Sequence, residues 1–132
     1  MTLRYLFSFL LLFSIASCSS TSESEGDDEE EEEAEEGTVL TISSGNIFAT
    51  PDITAPSGST ITIVNDDSSS HTVTSQSAES AFDDTGDFDV TVASEGTALL
   101  TLPEAASGTV FFYYCRFHLD SMSPSSGTIT IE

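Results

Sequence analysis

Lysine is absent from the 132 residues, and arginine occurs only twice, at Arg4 and Arg116, against 23 aspartates and glutamates. The formal net charge of −21 excludes a nucleic-acid binder that relies on neutralising phosphates. It also argues against docking on anionic lipid by charge. Long apolar runs are scarce too. The one at the start, Tyr5 to Ile15, falls short of the roughly 20 residues that a membrane-spanning helix needs. No helical stripe of useful length appears elsewhere. Cysteine and histidine are equally sparse: Cys18, Cys115, His71 and His118 are the full set. A site that needs two imidazoles must therefore use both. With no spare histidine there is no Ser/His/Asp arrangement, and neither a paired-carboxylate motif nor a phosphate-binding glycine loop is present.

What is there divides the chain into three parts. Residues 1–17, with Arg4 as their only charge and then LFSFLLLFSI, read as a secretory signal peptide. Their end, Ile15-Ala16-Ser17-Cys18, resembles the lipobox of bacterial lipoproteins, which implies acylation of Cys18 and a protein tethered to a membrane outside the cytoplasm. An ordinary signal with an incidental cysteine is the alternative. Cys18 and Cys115 sit in such different contexts that a disulfide between them is not expected. Residues 18–36 continue into SSTSESEGDDEEEEEAEE, a block of like charge without apolar periodicity. Such a segment is expected to be a disordered, solvated linker, reaching at most about 60 Å.

From Gly37 to Glu132 the composition changes to Thr, Val, Ile, Phe, Ser and Gly in short alternating runs. This is the pattern of an all-β sandwich or barrel. Strands are expected at Thr38–Ile42, Thr60–Asn65, His71–Ser75, Phe88–Ala93, Thr97–Leu102, Thr109–Cys115 and Thr128–Ile131, separated by turns such as Pro56-Ser57-Gly58 and Ser94-Glu95-Gly96. One sandwich core fits this length.

The chemistry concentrates in FFYYCRFHLDSM, Phe111 to Met122. A thiolate, an imidazole and a thioether within eight residues are soft donors, which favour copper over magnesium or calcium. His71 is the sole candidate for a second imidazole. It opens one expected strand while Cys115 closes another, so both can lie at one end of a sandwich, and the turn after Cys115 can bring His118 back to them. Two imidazoles and a thiolate form the trigonal set of a blue-copper centre. Duller roles exist for each residue. Cys115 can be a small buried hydrophobe, although an unpaired exported thiol is a liability unless a metal holds it. The histidines can be surface residues, and Met122 can be a core filler rather than a weak axial ligand.

The residues also carry a family resemblance. Phe48-x-x-Pro51, Pro56-Ser57-Gly58-Ser59-Thr60-Ile61 and Val64-Asn65-x-Asp67-x-x-x-His71-Thr72-Val73-Thr74 are similar to the first half of a small cupredoxin of the plastocyanin, pseudoazurin and halocyanin kind. Ser107-Gly108-Thr109, Tyr114-Cys115-x-x-His118, Met122 and Gly127 to Ile131 resemble its second half. The resemblance implies a Greek-key β-sandwich of about seven or eight strands and one-electron transfer through one type 1 copper ion held by His71, Cys115, His118 and Met122. It further suggests Asn65 and Thr72 as hydrogen-bonding supports of the site. Phe48, Phe117 and Leu119 would form an apolar collar near His118 as the electron port, and Tyr114 a second exit. For Phe48, core packing is the alternative.

The implied function is an extracytoplasmic, lipid-anchored monomer, not an enzyme, that shuttles electrons between redox proteins. Copper storage or delivery, or a mononuclear copper redox enzyme with an open ligand position, are the alternatives. Asp66, Asp67, Asp83, Asp84, Asp87 and Asp89 are expected to add an acidic field to the domain. That field suits either docking on basic patches of redox partners or solubility in brine.

Overall fold

Thr60-Ile61-Thr62-Ile63 alternates polar and apolar side chains, the period-2 pattern that turns one face of a strand to a core and the other to water. In the computed structural model Ile61 and Ile63 are indeed fully buried. The structure describes residues 37–132. The expected signal peptide 1–17, the lipidation site Cys18 and the acidic segment 18–36 lie outside the described residues.

Nine strands occur among the described residues, and no helix: β1 (Val39–Ser43), β2 (Ile47–Phe48), β3 (Asp52–Ala55), β4 (Thr60–Asn65), β5 (His71–Gln76), β6 (Asp89–Val92), β7 (Thr97–Thr101), β8 (Val110–Tyr114) and β9 (Ser126–Ile131). They form two sheets, ordered β2-β1-β4-β7 and β3-β9-β8-β5-β6. The β1–β4 and β3–β9 pairs are parallel and the others antiparallel. The architecture is a β-sandwich, as the alternation implies.

The expected count of seven or eight strands was too low, because β2 and β3 carry little local signal. β2 has only two residues, and β3 is bracketed by Pro51 and Pro56, which read as loop punctuation. Tertiary pairing makes β3 a strand: it lies parallel to β9, with Ile53 opposite Ile129. β1 and β2 are joined through Gly45 and Asn46, both at positive φ (87° and 59°). Glycine adopts this conformation freely and asparagine tolerates it.

The core lies between the sheets and includes Leu40, Ile42, Ile61, Ile63, Val73, Val92, Ile129 and Ile131. Each such aliphatic side chain contributes about 1.5–3 kcal/mol by burial. Phe48 packs edge-on against Tyr113, with ring centroids 5.1 Å apart, and the Tyr113 hydroxyl donates to the Pro51 carbonyl at 2.8 Å. This crossing requires glycine at 127, where a Cβ would collide with the Tyr113 ring and the Pro51 carbonyl. Every residue of β5 is buried. On the face opposite Val73, Arg116 covers Thr72 and Thr74, and the Phe82 amide donates to Gln76 Oε1 at 2.8 Å.

Candidate metal centre

Antiparallel pairing of β5 with β8 sets Thr74 opposite Tyr114, the last residue of β8, so the start of β5 lies beside the chain that follows β8. His71 and Cys115, 44 positions apart, meet there with His71 Nδ1 3.7 Å from Cys115 Sγ. Both residues are buried. After Cys115 the chain makes two tight turns. In the first, the His118 amide donates to the Cys115 carbonyl at 3.4 Å, which carries His118 Nδ1 to 3.6 Å from the sulfur. In the second, the Ser121 and Met122 amides donate to the His118 carbonyl at 3.1 and 3.0 Å. Met122 is thereby folded under the loop, buried in the same apolar cluster as Cys115.

One donor atom from each of His71, Cys115 and His118 lies within 4.8 Å of the others. These spacings suit a metal. Bonds of about 2.0 Å to nitrogen and 2.3 Å to sulfur, opened to roughly 120°, give an N···S edge of about 3.7 Å. The observed edges are 3.7 and 3.6 Å. Both N···S edges therefore match a trigonal first-row ion, and two imidazoles with one thiolate match copper chemistry.

Thr72 grips the cysteine from both sides. Its amide donates to Cys115 Sγ at 3.3 Å, and its Oγ1 accepts from the Arg116 amide at 2.8 Å. The Arg116 guanidinium is held in turn by Asp89, at 2.6 Å from Nη2, and by Thr74 Oγ1 at 3.2 Å from Nε. Asn65, at the end of β4, is a buried brace. Its Nδ2 donates to the carbonyls of Ser69 and Ala93, both at 2.8 Å, and its Oδ1 accepts from the Asp67 amide at 3.0 Å. These contacts fix the loop that ends in His71.

Asp67 does not belong to the surface acidic field expected from sequence. It is buried, 5% exposed, and its Oδ2 accepts from His71 Nε2 at 3.1 Å and from the Asn46 amide at 3.0 Å. The Asn46 hydrogen bond, aided by His71, holds its carboxyl down to about 2 against the opposing effect of burial. Burial pushes His71 below the ordinary histidine range, and the Asp67 hydrogen bond only partly opposes it. At neutral pH the pair is thus a carboxylate and a neutral imidazole. The remaining acids, Asp66, Asp83, Asp84, Asp87 and Asp89, are exposed as expected.

The other candidates fall into two groups. Phe117 and Leu119 stand at the surface beside His118, 52% and 41% exposed. Phe48 is a core residue against Tyr113, so packing rather than a collar accounts for it. Tyr114 is 4% exposed; Phe82 lies edge-on to it at 5.8 Å, and it is Phe82 that reaches solvent there. Sequence reasoning missed the roles of Asp67 and Asn46. The spacing Asp67-x-x-x-His71 carried a signal for the first, but nothing local marked the second.

No protein-family model matches the sequence, and no curated protein does. Solved structures do resemble it. The purple cupredoxin from Nitrosopumilus maritimus superposes with a TM-score of 0.58 at 22% identity, over 72% of this chain and 99% of that one. The auracyanin from Roseiflexus castenholzii, reduced with dithionite, gives 0.57 at 14% identity over 73% and 96%. A point mutant of amicyanin in its reduced state gives 0.53 at 23% over 76% and 87%. With its two sheets and with the thiol and both imidazoles gathered at one end, the chain from Gly37 to Glu132 has the cupredoxin fold.

Proposed function

We propose that this protein is a one-electron carrier built around a single type 1 copper ion, with His71, Cys115 and His118 as trigonal ligands and Met122 as the weak axial donor. The observation that carries this reading is the pair of N···S edges at 3.7 and 3.6 Å, which converge on a sulfur already hydrogen-bonded by the Thr72 amide. Copper supplies the one-electron couple; the chain supplies a frame that serves both oxidation states. Asn65, Thr72 and Asp67 hold the donors in place, so little rearranges when the electron moves. The buried positions of His71 and Cys115 suit retention of the ion better than delivery of it.

Electrons would enter and leave beside His118, where exposed Phe117 and Leu119 offer a small apolar contact. The signal-like start and Cys18 support a lipid-tethered protein outside the cytoplasm. The acids support redox partners with basic docking patches. If charge steers them, the exchange rate falls as ionic strength rises through ordinary values. Colour tests the copper assignment: purified protein given Cu(II) turns intensely blue, green or purple through sulfur-to-copper charge transfer. A pale, weakly absorbing product defeats it, and metal lost rapidly to a competing chelator would favour delivery.

A further inference from the structure

His71 presents its two ring nitrogens to two different groups. Nδ1 faces the Cys115 sulfur at 3.7 Å, while Nε2 meets Asp67 Oδ2 at 3.1 Å. A carboxylate can only accept hydrogen bonds. Nε2 must therefore carry the hydrogen, which leaves the Nδ1 lone pair directed at the candidate metal position. On the copper reading given above, we infer that Asp67 is a positioning residue that fixes the tautomer and orientation of His71 and, through its buried negative charge, sets the relative affinity of the site for the two copper oxidation states.

The surroundings of Asp67 support this role. Its own amide is held by Asn65 Oδ1 at 3.0 Å, and its carbonyl accepts from the Glu95 amide at 2.9 Å. The same oxygen that meets His71 also takes the Asn46 amide, so the carboxylate has one place to sit. His118 lacks any such brace on its ring: among the described residues its Nε2 has no hydrogen-bond partner, and of the two ring nitrogens only Nδ1 makes a polar contact, with the cysteine sulfur. The tuning is thus confined to one imidazole. A carboxylate that accepts from a ligand imidazole makes the ring a stronger donor, and loss of such partners costs about 10–100-fold in metal affinity. A nearby negative charge that water screens poorly favours the more highly charged ion. Removing it should weaken Cu(II) binding more than Cu(I) binding and raise the reduction potential.

The test compares Asp67→Asn with Asp66→Asn in the full chain. Both changes remove one negative charge, but Asp66 is exposed. Chelator competition gives the Cu(I) and Cu(II) affinities, and redox titration gives the potential. Asp67→Asn is expected to retain the intense visible band and shift the Cu(I)/Cu(II) affinity ratio about tenfold or more toward Cu(I), equivalent to about 59 mV per decade for a one-electron couple. Asp66→Asn should stay within about twofold of the parent, since the partner-specific loss described above is absent there. An unchanged ratio in Asp67→Asn, or an equal shift in both variants, overturns the inference. A measurement on the unmutated Cu(I) protein keeps it falsifiable even if the variant misfolds: nitrogen-correlated NMR should find the His71 hydrogen on Nε2, and a hydrogen on Nδ1 overturns it. A parent protein without the charge-transfer band sinks the copper reading itself, whereas a normal band with an unshifted Asp67→Asn ratio removes only the role of Asp67.

Discussion

Residues 65–71 and residues 115–122 both bring candidate donors to the same end of the sandwich, and they do so by opposite means. The first segment is buried at Asn65, Asp67 and His71 and tied by side-chain hydrogen bonds to the Ala93 carbonyl and the Asn46 amide. The second is two backbone turns with Phe117, Leu119 and Asp120 open to solvent. One arm holds its imidazole by external bracing, the other by its own backbone curvature. The proposed electron transfer would call for both: a site that does not reorganise, and one edge of it close to the surface. Asn46 joins the two arms. Its amide serves Asp67, while its carbonyl accepts from Ser123 at 2.9 Å, just past Met122.

The largest effect is expected where the arms meet. Cys115→Ser should abolish the intense visible band, because the soft sulfur donor is lost, while circular dichroism of the metal-free protein stays that of a β-sandwich. A variant that kept the band would place the sulfur outside the centre and undo the comparison. Next comes the braced arm. Asn65→Ala strips partners from the Ser69 and Ala93 carbonyls and from the buried Asp67 amide, a loss of about 2–4 kcal/mol. Denaturant unfolding of the metal-free protein measures it, and copper affinity should fall in parallel.

The turning arm should respond differently. Met122→Leu conserves volume, so stability should change by less than about 1.5 kcal/mol, while the colour remains and the reduction potential shifts with the axial donor. If neither colour nor potential moves, Met122 is packing alone. Smallest in stability is Phe117→Ser, an exposed change expected to stay within about 0.5 kcal/mol. Its signature should instead be slower electron exchange with a redox partner, measured by stopped flow. Equal rates would move the contact surface away from His118.

Most of the frame could be read in advance because it rests on local pattern. β4 shows alternation from Thr60 to Ile63, and its expected bounds, Thr60–Asn65, are the observed ones. β5, β7 and β8 were each placed within a residue or so. The two strands that were missed lack such a pattern. β3 exists because it pairs with β9, about 76 positions away in sequence, as the Thr128–Asp52 side-chain bond shows. Phe48 was ambiguous for the same reason: an aromatic before a proline suits a surface collar or a core, and only the position of Tyr113 decides.

For the site, the sequence by itself determined the donor inventory. Two histidines, one cysteine besides the lipobox-like Cys18 and one methionine beyond the first residue leave few ways to build a soft metal centre, and their placement at expected strand ends points to one shared end. Tertiary structure alone decided what those donors lean on. Asp67 reads as one more acid in a chain that has 23 acidic residues, and its carboxylate leaves the surface only because a turn 21 positions earlier offers the Asn46 amide. Strand pattern is a property of neighbours along the chain, where side chains alternate every residue. Burial of a charge depends on partners far away in sequence, and no local pattern records where they will be.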